Sequence, residues 1–253
     1  MPLLQASSSS LPPILRLSEV DSTNAEAMRR ALGGEAGPLW IVAGRQREGR
    51  GRSGRRWSSE PGNLHASCLM TLSSEACKAY QLSLVAGVAV VDAVRQAMTL
   101  PEHAPLRLKW PNDILIGRAK AGGILVESGA APAGLIAVVG IGVNLVQHPE
   151  GLDRPATHLS AYGRAPDPDR LLGLVATALS HWLERWDEGR GFGAVREAWL
   201  ARAGRAGERM SVHTGGGVVA GAFAGIDPDG ALLLRDDLGG EHRYTHGDVS
   251  LAG

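Results

Sequence analysis

The run Gly49, Arg50, Gly51, Arg52, Ser53, Gly54, Arg55, Arg56, Trp57 constrains this chain more than any other stretch, because it puts four arginines on backbone with few steric limits. Glycine lacks a Cβ and accepts positive φ, so a loop of this kind can fold closely round a ligand. Arg45 and Arg47 precede the run, and Glu48 alone offsets the charge. Strand-like segments flank it at 38–43 (PLWIVA) and 64–72 (LHASCLMTL), which sets it inside a folded region and not in a tail. Guanidinium groups offer paired donors to carboxylate and phosphate. The loop therefore predicts an anionic small molecule as its ligand. A Gly/Arg-rich RNA-binding module is the alternative from another class, and it predicts strongly salt-dependent RNA binding without ATP turnover.

The charge is local. Across 253 residues there are 26 basic and 26 acidic side chains, whereas a dedicated nucleic-acid or membrane-surface protein carries a global basic excess. No apolar run reaches the roughly 18 residues of a spanning helix, and no signal peptide precedes the first strand. Cys68 and Cys77 are too few for a disulfide framework or a paired CxxC metal site. A cytoplasmic protein with no membrane or nucleic-acid partner is expected, and a homodimer is compatible with the sequence. Residues 1–13, with Ser7 to Ser10 followed by Pro12 and Pro13, predict a disordered start.

Further along, Ile14 to Val20 reads as a strand, and Thr23 with Glu26 has the spacing of a capping box for a helix ending at Gly33 and Gly34. A long apolar helix is predicted from about Lys78 to Met98. Short apolar runs at 106–110, 113–116, 121–127 and 135–143 predict a largely antiparallel sheet. A helix over 169–188 brings Leu171, Leu174, Val175, Ala178, Trp182 and Trp186 to one face, so these tryptophans read as packing. Another helix is predicted over 194–203. From Gly207 the pattern turns to short strands with glycine and Asp-Pro turns, which resembles a small barrel. The expected organisation is a domain over 14–206 and a second over 207–253.

Four more segments carry polar groups at element ends. In DSTN (21–24), a helix start supplies free N–H groups and hydroxyls. In KWPND (109–113), a strand ends in a turn bearing a cation, an amide and a carboxylate, and such a turn can set Mg²⁺ beside phosphates. KAGGILVE begins at Lys120, with Gly122 and Gly123 inviting a ligand against the backbone. GIGVNL (140–145) interrupts a strand with glycines and ends it in Asn144. Neither GxGxxG nor GxxxxGK[ST] occurs. His103, His158, His181, His213, His242 and His246 show no zinc-site spacing and read as structural or surface residues.

DSTN, GRGRSGRRW, KWPND, KAGGILVE and GIGVNL, in that order, resemble the catalytic core of the biotin protein ligase family, and the likeness runs from about Ile14 to the C-terminal segments AGIDPDGALLL and GDVSL. Two departures stand out. Only about 13 residues precede the core, as in the monofunctional form without a DNA-binding domain, and Arg47 and Glu48 replace small or polar residues before GRGR.

The resemblance implies an α+β fold, with a mixed, largely antiparallel sheet flanked by helices as in class II synthetases and biotin/lipoate ligases, and a C-terminal SH3-like barrel. It implies activation of biotin by ATP with Mg²⁺ and transfer of the biotinyl group to a lysine of a biotin carboxyl carrier protein. By the same resemblance Lys120, Arg52 and Arg50 are catalytic. Ser22, Thr23, Asn24, Gln46, Gly49, Arg50, Lys120, Gly122, Gly123, Gly140 and Gly142 bind biotin. Arg52, Arg55, Trp57, Lys109, Asn112 and Asn144 serve ATP and the adenylate, and Asp113 bears on the metal. The arginine loop would order over the intermediate. A lipoate or octanoate ligase is the nearest rival enzyme, disfavoured because a plain acyl chain has no ureido head for the loop to frame.

Overall fold

The structure is a computed structural model that describes residues 11–72, 76–151 and 154–252. The expected disordered start therefore lies outside the described residues up to residue 10, as does the side chain of Cys77. Strand β1 (Ile14–Val20) runs parallel to β2 (Leu39–Gln46), and helix α1 (Thr23–Leu32) makes the crossover that a parallel pair needs. Every other pairing in the large sheet is antiparallel: β2 with β3 (Leu64–Leu72), β3 with β7 (Gly134–Val143), β7 with β6 (Ala119–Ala131), β6 with β5 (Asp113–Ile116), and β5 with β4 (Leu106–Lys109). The expected mixed, largely antiparallel sheet is thus observed.

Both faces of this sheet are covered. Helix α1 packs on one through Ala27 and Ala31, against Ile41, Leu69, Ile136 and Val138. On the other lies α2 (Leu82–Ala97), buried on nearly all sides because α3 (Pro168–Trp186) and α4 (Phe192–Leu200) pack behind it. The predicted helix from Lys78 begins instead at Leu82, after a 3₁₀ turn over Ala76–Gln81. Trp182 and Trp186 are buried, as their spacing predicts, and their indole N–H groups donate to Asp92 (3.0 Å) and Gln81 (2.8 Å). Buried indoles need such partners.

A second sheet has the order β11 (Glu241–Tyr244), β10 (Leu232–Arg235), β9 (Gly217–Ile226), β8 (Arg209–Thr214), β12 (Asp248–Leu251). It is clamped to the first unit. Trp110 Nε1 donates to the Gly230 carbonyl at 3.0 Å, and Arg107 forms a half-buried ion pair with Glu208 at 2.8 Å. The clamp brings β12 beside the loop after β2 and the β4–β5 turn. Among the described residues no helix is long and apolar enough to cross a membrane.

Candidate functional site

One cavity of about 1020 Å³ opens at the ends of β6 and β7 and is walled by α1, the arginine loop, the β4–β5 turn, Pro149, Arg154 to Ala156, and β12. Its two ends differ in chemistry.

The first end is neutral and closely bonded. Ser22, not Thr23, caps α1, its Oγ accepting from Ala25 N at 3.4 Å. The capping-box reading is corrected here, because the Thr23 hydroxyl is turned to Gln46 Oε1 (3.0 Å), which also accepts from Thr23 N (2.8 Å). Ser67 Oγ lies 2.6 Å from Asn24 Oδ1 and 2.7 Å from Thr23 Oγ1. Asn24 Nδ2 donates to Glu127 Oε2 (2.7 Å), and Gln46 N donates to Ser59 Oγ (3.1 Å). Among the described residues no buried side-chain polar atom lacks a partner. Arg50 sits at the rim of this end, half-exposed, with Nη2 3.8 Å from Glu127.

The second end is cationic. Asp113 is buried, with Lys120 on Oδ1 and, on Oδ2, Lys109 (2.8 Å) and Arg154 (3.4 Å). Burial pushes the Asp113 carboxyl up, but the adjacent Lys120 and Lys109 outweigh it and hold the group well below the usual carboxylate range. Burial likewise draws the Lys120 ammonium down from its ordinary value, against the pull of Asp113. The main chain of Lys120 is pinned on both sides, its N donating to Pro155 O (2.8 Å) and its O accepting from Thr157 N (2.9 Å). Lys109 Nζ also donates to Val249 O (2.6 Å), Arg52 Nη2 to Gly247 O (3.3 Å), and Arg55 pairs with Asp248 (2.5 Å). Three cations round one carboxylate leave a net positive pocket suited to phosphate.

Asp113, expected to bear on the metal, is engaged by cations of the chain itself. Both its oxygens are taken by cations, and a divalent ion there would face three positive neighbours at close range. No group of three His, Cys, Asp or Glu side chains able to hold a metal occurs among the described residues.

The arginine loop is a short hairpin. Gly51 N donates to Arg55 O (2.7 Å) and Trp57 N to Gly49 O (2.8 Å), while Ser53 (φ 55°) and Gly54 (φ 71°) make the reversal at its tip. It brings the Trp57 indole across the sheet, with Nε1 3.4 Å from His65 Nδ1 and the ring centroid 5.6 Å from Lys120 Nζ. His65 Nε2 lies 3.3 Å from Glu60 O, so the neutral Nε2–H tautomer serves both contacts, and burial keeps the ring's pKa below its ordinary value.

The geometry is that of a known family. One family model, described as Biotin/lipoate A/B protein ligase family, matches residues 18–144, and another, Biotin protein ligase C terminal domain, matches 207–252. A biotin--[acetyl-CoA-carboxylase] ligase of Paracoccus denitrificans is 41% identical over 88% of this chain and 94% of its own. The chain belongs to the biotin protein ligase family. A ligase of the same description from Mycobacterium tuberculosis is 34% identical over 88% of this chain and 83% of its own. Among solved structures, the biotin protein ligase from Aquifex aeolicus in complex with biotin and ATP superposes with a TM-score of 0.79 at 29% identity, covering 95% of this chain and 98% of that one.

Of the residues expected at the site, Ser22, Thr23, Asn24, Gln46, Arg50, Arg52, Arg55, Trp57, Lys109, Asn112, Asp113, Lys120, Gly123, Gly140, Gly142 and Asn144 line the one cavity. Two do not. Gly122 pairs with Val143 and its missing side chain would point at Ile114 on the opposite face, as strand alternation dictates. Gly49 lies behind the loop, where a Cβ would meet Trp57 O at 2.6 Å, so it closes the hairpin. Gly140 and Gly142 line the cavity in a different way from that expected. Asn24 and Trp57 lie over them, and a Cβ at either glycine would drive into those side chains. Asn112 and Asn144 each commit an amide hydrogen to backbone, Ile124 O (2.7 Å) and Thr157 O (2.9 Å) respectively.

Sequence reasoning missed Ser67, Glu127, His65, Arg154 and β12. Ser67 and His65 stand on β3 at positions i and i+2, a spacing that marks one face. For Arg154 and β12 no local signal exists, since their approach is purely tertiary.

Proposed function

We propose that this chain activates biotin with ATP to biotinyl-5′-AMP, releasing pyrophosphate, and passes the biotinyl group to one lysine of a biotin carboxyl carrier protein. The observation that carries the reading is one cavity that joins a neutral hydrogen-bonding end to a cationic end, in a chain of this family. The cage of Thr23, Asn24, Gln46 and Ser67 suits a ureido head, which both donates and accepts. Attack of the biotin carboxylate on the α-phosphorus brings two anions together. Lys120 and Arg52 lower that cost by neutralising charge where it develops, and the walls hold the attacking oxygen in line. Magnesium, in this reading, arrives on the ATP phosphates and not on Asp113. Trp57 separates the biotin floor from the nucleotide end, and Lys109, Arg55, Asn112 and Asn144 line the latter. The second sheet, read as an SH3-like barrel beginning near 207, contributes β12 as the nucleotide-side wall.

Intact-mass detection of the adenylate tests this. Purified protein is mixed with ATP, Mg²⁺ and either biotin or lipoate, and a biotin carboxyl carrier domain is then added. Biotin alone giving the adenylate, with one biotinyl group gained by the carrier, is the expected result. Activation of lipoate would overturn the specificity, and activation of neither would overturn the activity.

A further inference from the structure

Only three of the 26 basic residues in this chain are lysines: Lys78, Lys109 and Lys120. Two of the three stand in the cavity, 10% and 13% exposed at the side chain, and both are paired with Asp113, itself 5% exposed. We propose that Asp113 guards Lys109 and Lys120 against acylation by the enzyme's own intermediate, in a protein whose surface offers that intermediate almost no other amine. The inference rests on the adenylate-forming reading above.

The chemistry is simple to balance. A neutral lysine attacks the acyl carbon of the mixed anhydride, a C–N bond forms, the C–O bond to phosphate breaks, AMP departs with the electron pair, and the nitrogen releases a proton. An ammonium has no lone pair and cannot start this sequence, and a guanidinium stays protonated throughout the physiological range. Twenty-three arginines therefore carry the charge work of the fold without risk of acylation. The cavity still holds amines where an acyl phosphate would lie. Lys109 comes from β4 and Lys120 from β6, and both meet the one buried carboxylate of Asp113 together with Arg154, while Arg52 lines the same cavity from the loop. Asp113 supplies the opposing negative charge at both ammonium groups. Outside the cavity only Lys78 remains, half-buried in the 3₁₀ turn with its side chain against Gly189.

The test supplies synthetic biotinyl-5′-AMP to the intact protein without carrier, and reads biotin on each lysine by peptide mass mapping. The wild type is expected to carry its label on Lys78 and not on the cavity lysines. Asp113→Asn is expected to raise labelling of Lys109 or Lys120 by about tenfold or more, since it strips both ammonium groups of the carboxylate that engages them. Asp113→Glu, which keeps the charge, stays protected. Arg56→Lys, an exposed rim position, gains label and shows that an unguarded amine at the mouth is reached whether or not Asp113→Asn folds. Cavity lysines labelled as fast as Lys78 in the wild type, a folded Asp113→Asn with no gain, or an unlabelled Arg56→Lys would each overturn the proposal. Wild-type transfer to a carrier domain is run alongside. Its success with no gain in the variants sinks the guard alone, and its failure sinks the activity.

Discussion

The two ends of the cavity are built on opposite plans. The neutral end comes mainly from α1, β2 and β3, close in sequence, with Glu127 of β6 accepting from Asn24, and its hydrogen-bonding groups are paired within the protein. The cationic end draws on β4, β6, the arginine loop, Arg154 and β12, and it carries more positive charge than its one buried carboxylate answers. A closed network is a shaped receptacle that discriminates by geometry, because an analogue that cannot match it leaves buried groups unpaired. An open excess of charge attracts anions of many shapes and acts on whatever develops negative charge there. Under the proposed function, recognition and chemistry are thus separated in space.

The separation is broken most strongly by Lys120→Ala. It should lower kcat/KM for adenylate formation by about 10²–10³, the usual cost of losing a preorganised donor, a larger factor than any loss of biotin affinity by calorimetry. Gly142→Ala comes next: the new methyl meets the Trp57 indole, and overpacking of this kind costs about 1–3 kcal/mol, to be read as a lower Tm and weakened biotin binding. Gln46→Ala sharpens the contrast. It strips the partner of both Thr23 donors, which should weaken biotin binding by about tenfold with no change in salt dependence, whereas Arg52→Ala should flatten the salt dependence of ATP binding.

The smallest effect concerns pH. His65 is buried and its folded pKa lies below 6.5, so the unfolded chain takes up a proton first as pH falls. Stability is then lost on descending from about pH 6.5 toward the folded pKa and is constant above it. His65→Gln should flatten the Tm profile between about pH 5 and 7. Asp113 has the sign of a depressed carboxylate. Its contribution is full above the ordinary aspartate range and disappears only under strongly acid conditions.

Much of this was legible in the chain. Helical spacing located α3, end signals located α1, and apolar runs bounded by turn residues located the strands of the large sheet, because each element buries a face or more against a neighbour. The glycines of GIGVNL were legible as a place of close approach, but not what approaches: Asn24 and Trp57 lie over them, more than 80 residues away in sequence. Gly122 misled because adjacency in sequence hides the alternation that turns it to the far face. The partners of Asp113 were hidden for a different reason. A carboxylate beside a lysine and an asparagine suits a cation of either kind, and only the fold shows that Lys120 and Arg154 arrive to claim it.

The carbonyls of Gly247 and Val249 hold Arg52 and Lys109, so a cavity whose first wall is laid down at residue 22 is finished by a strand more than 220 positions later. Under the proposed function, the compartment for a reactive acyl phosphate is complete only once β12 has been synthesised, which would tie competence to completion of the chain.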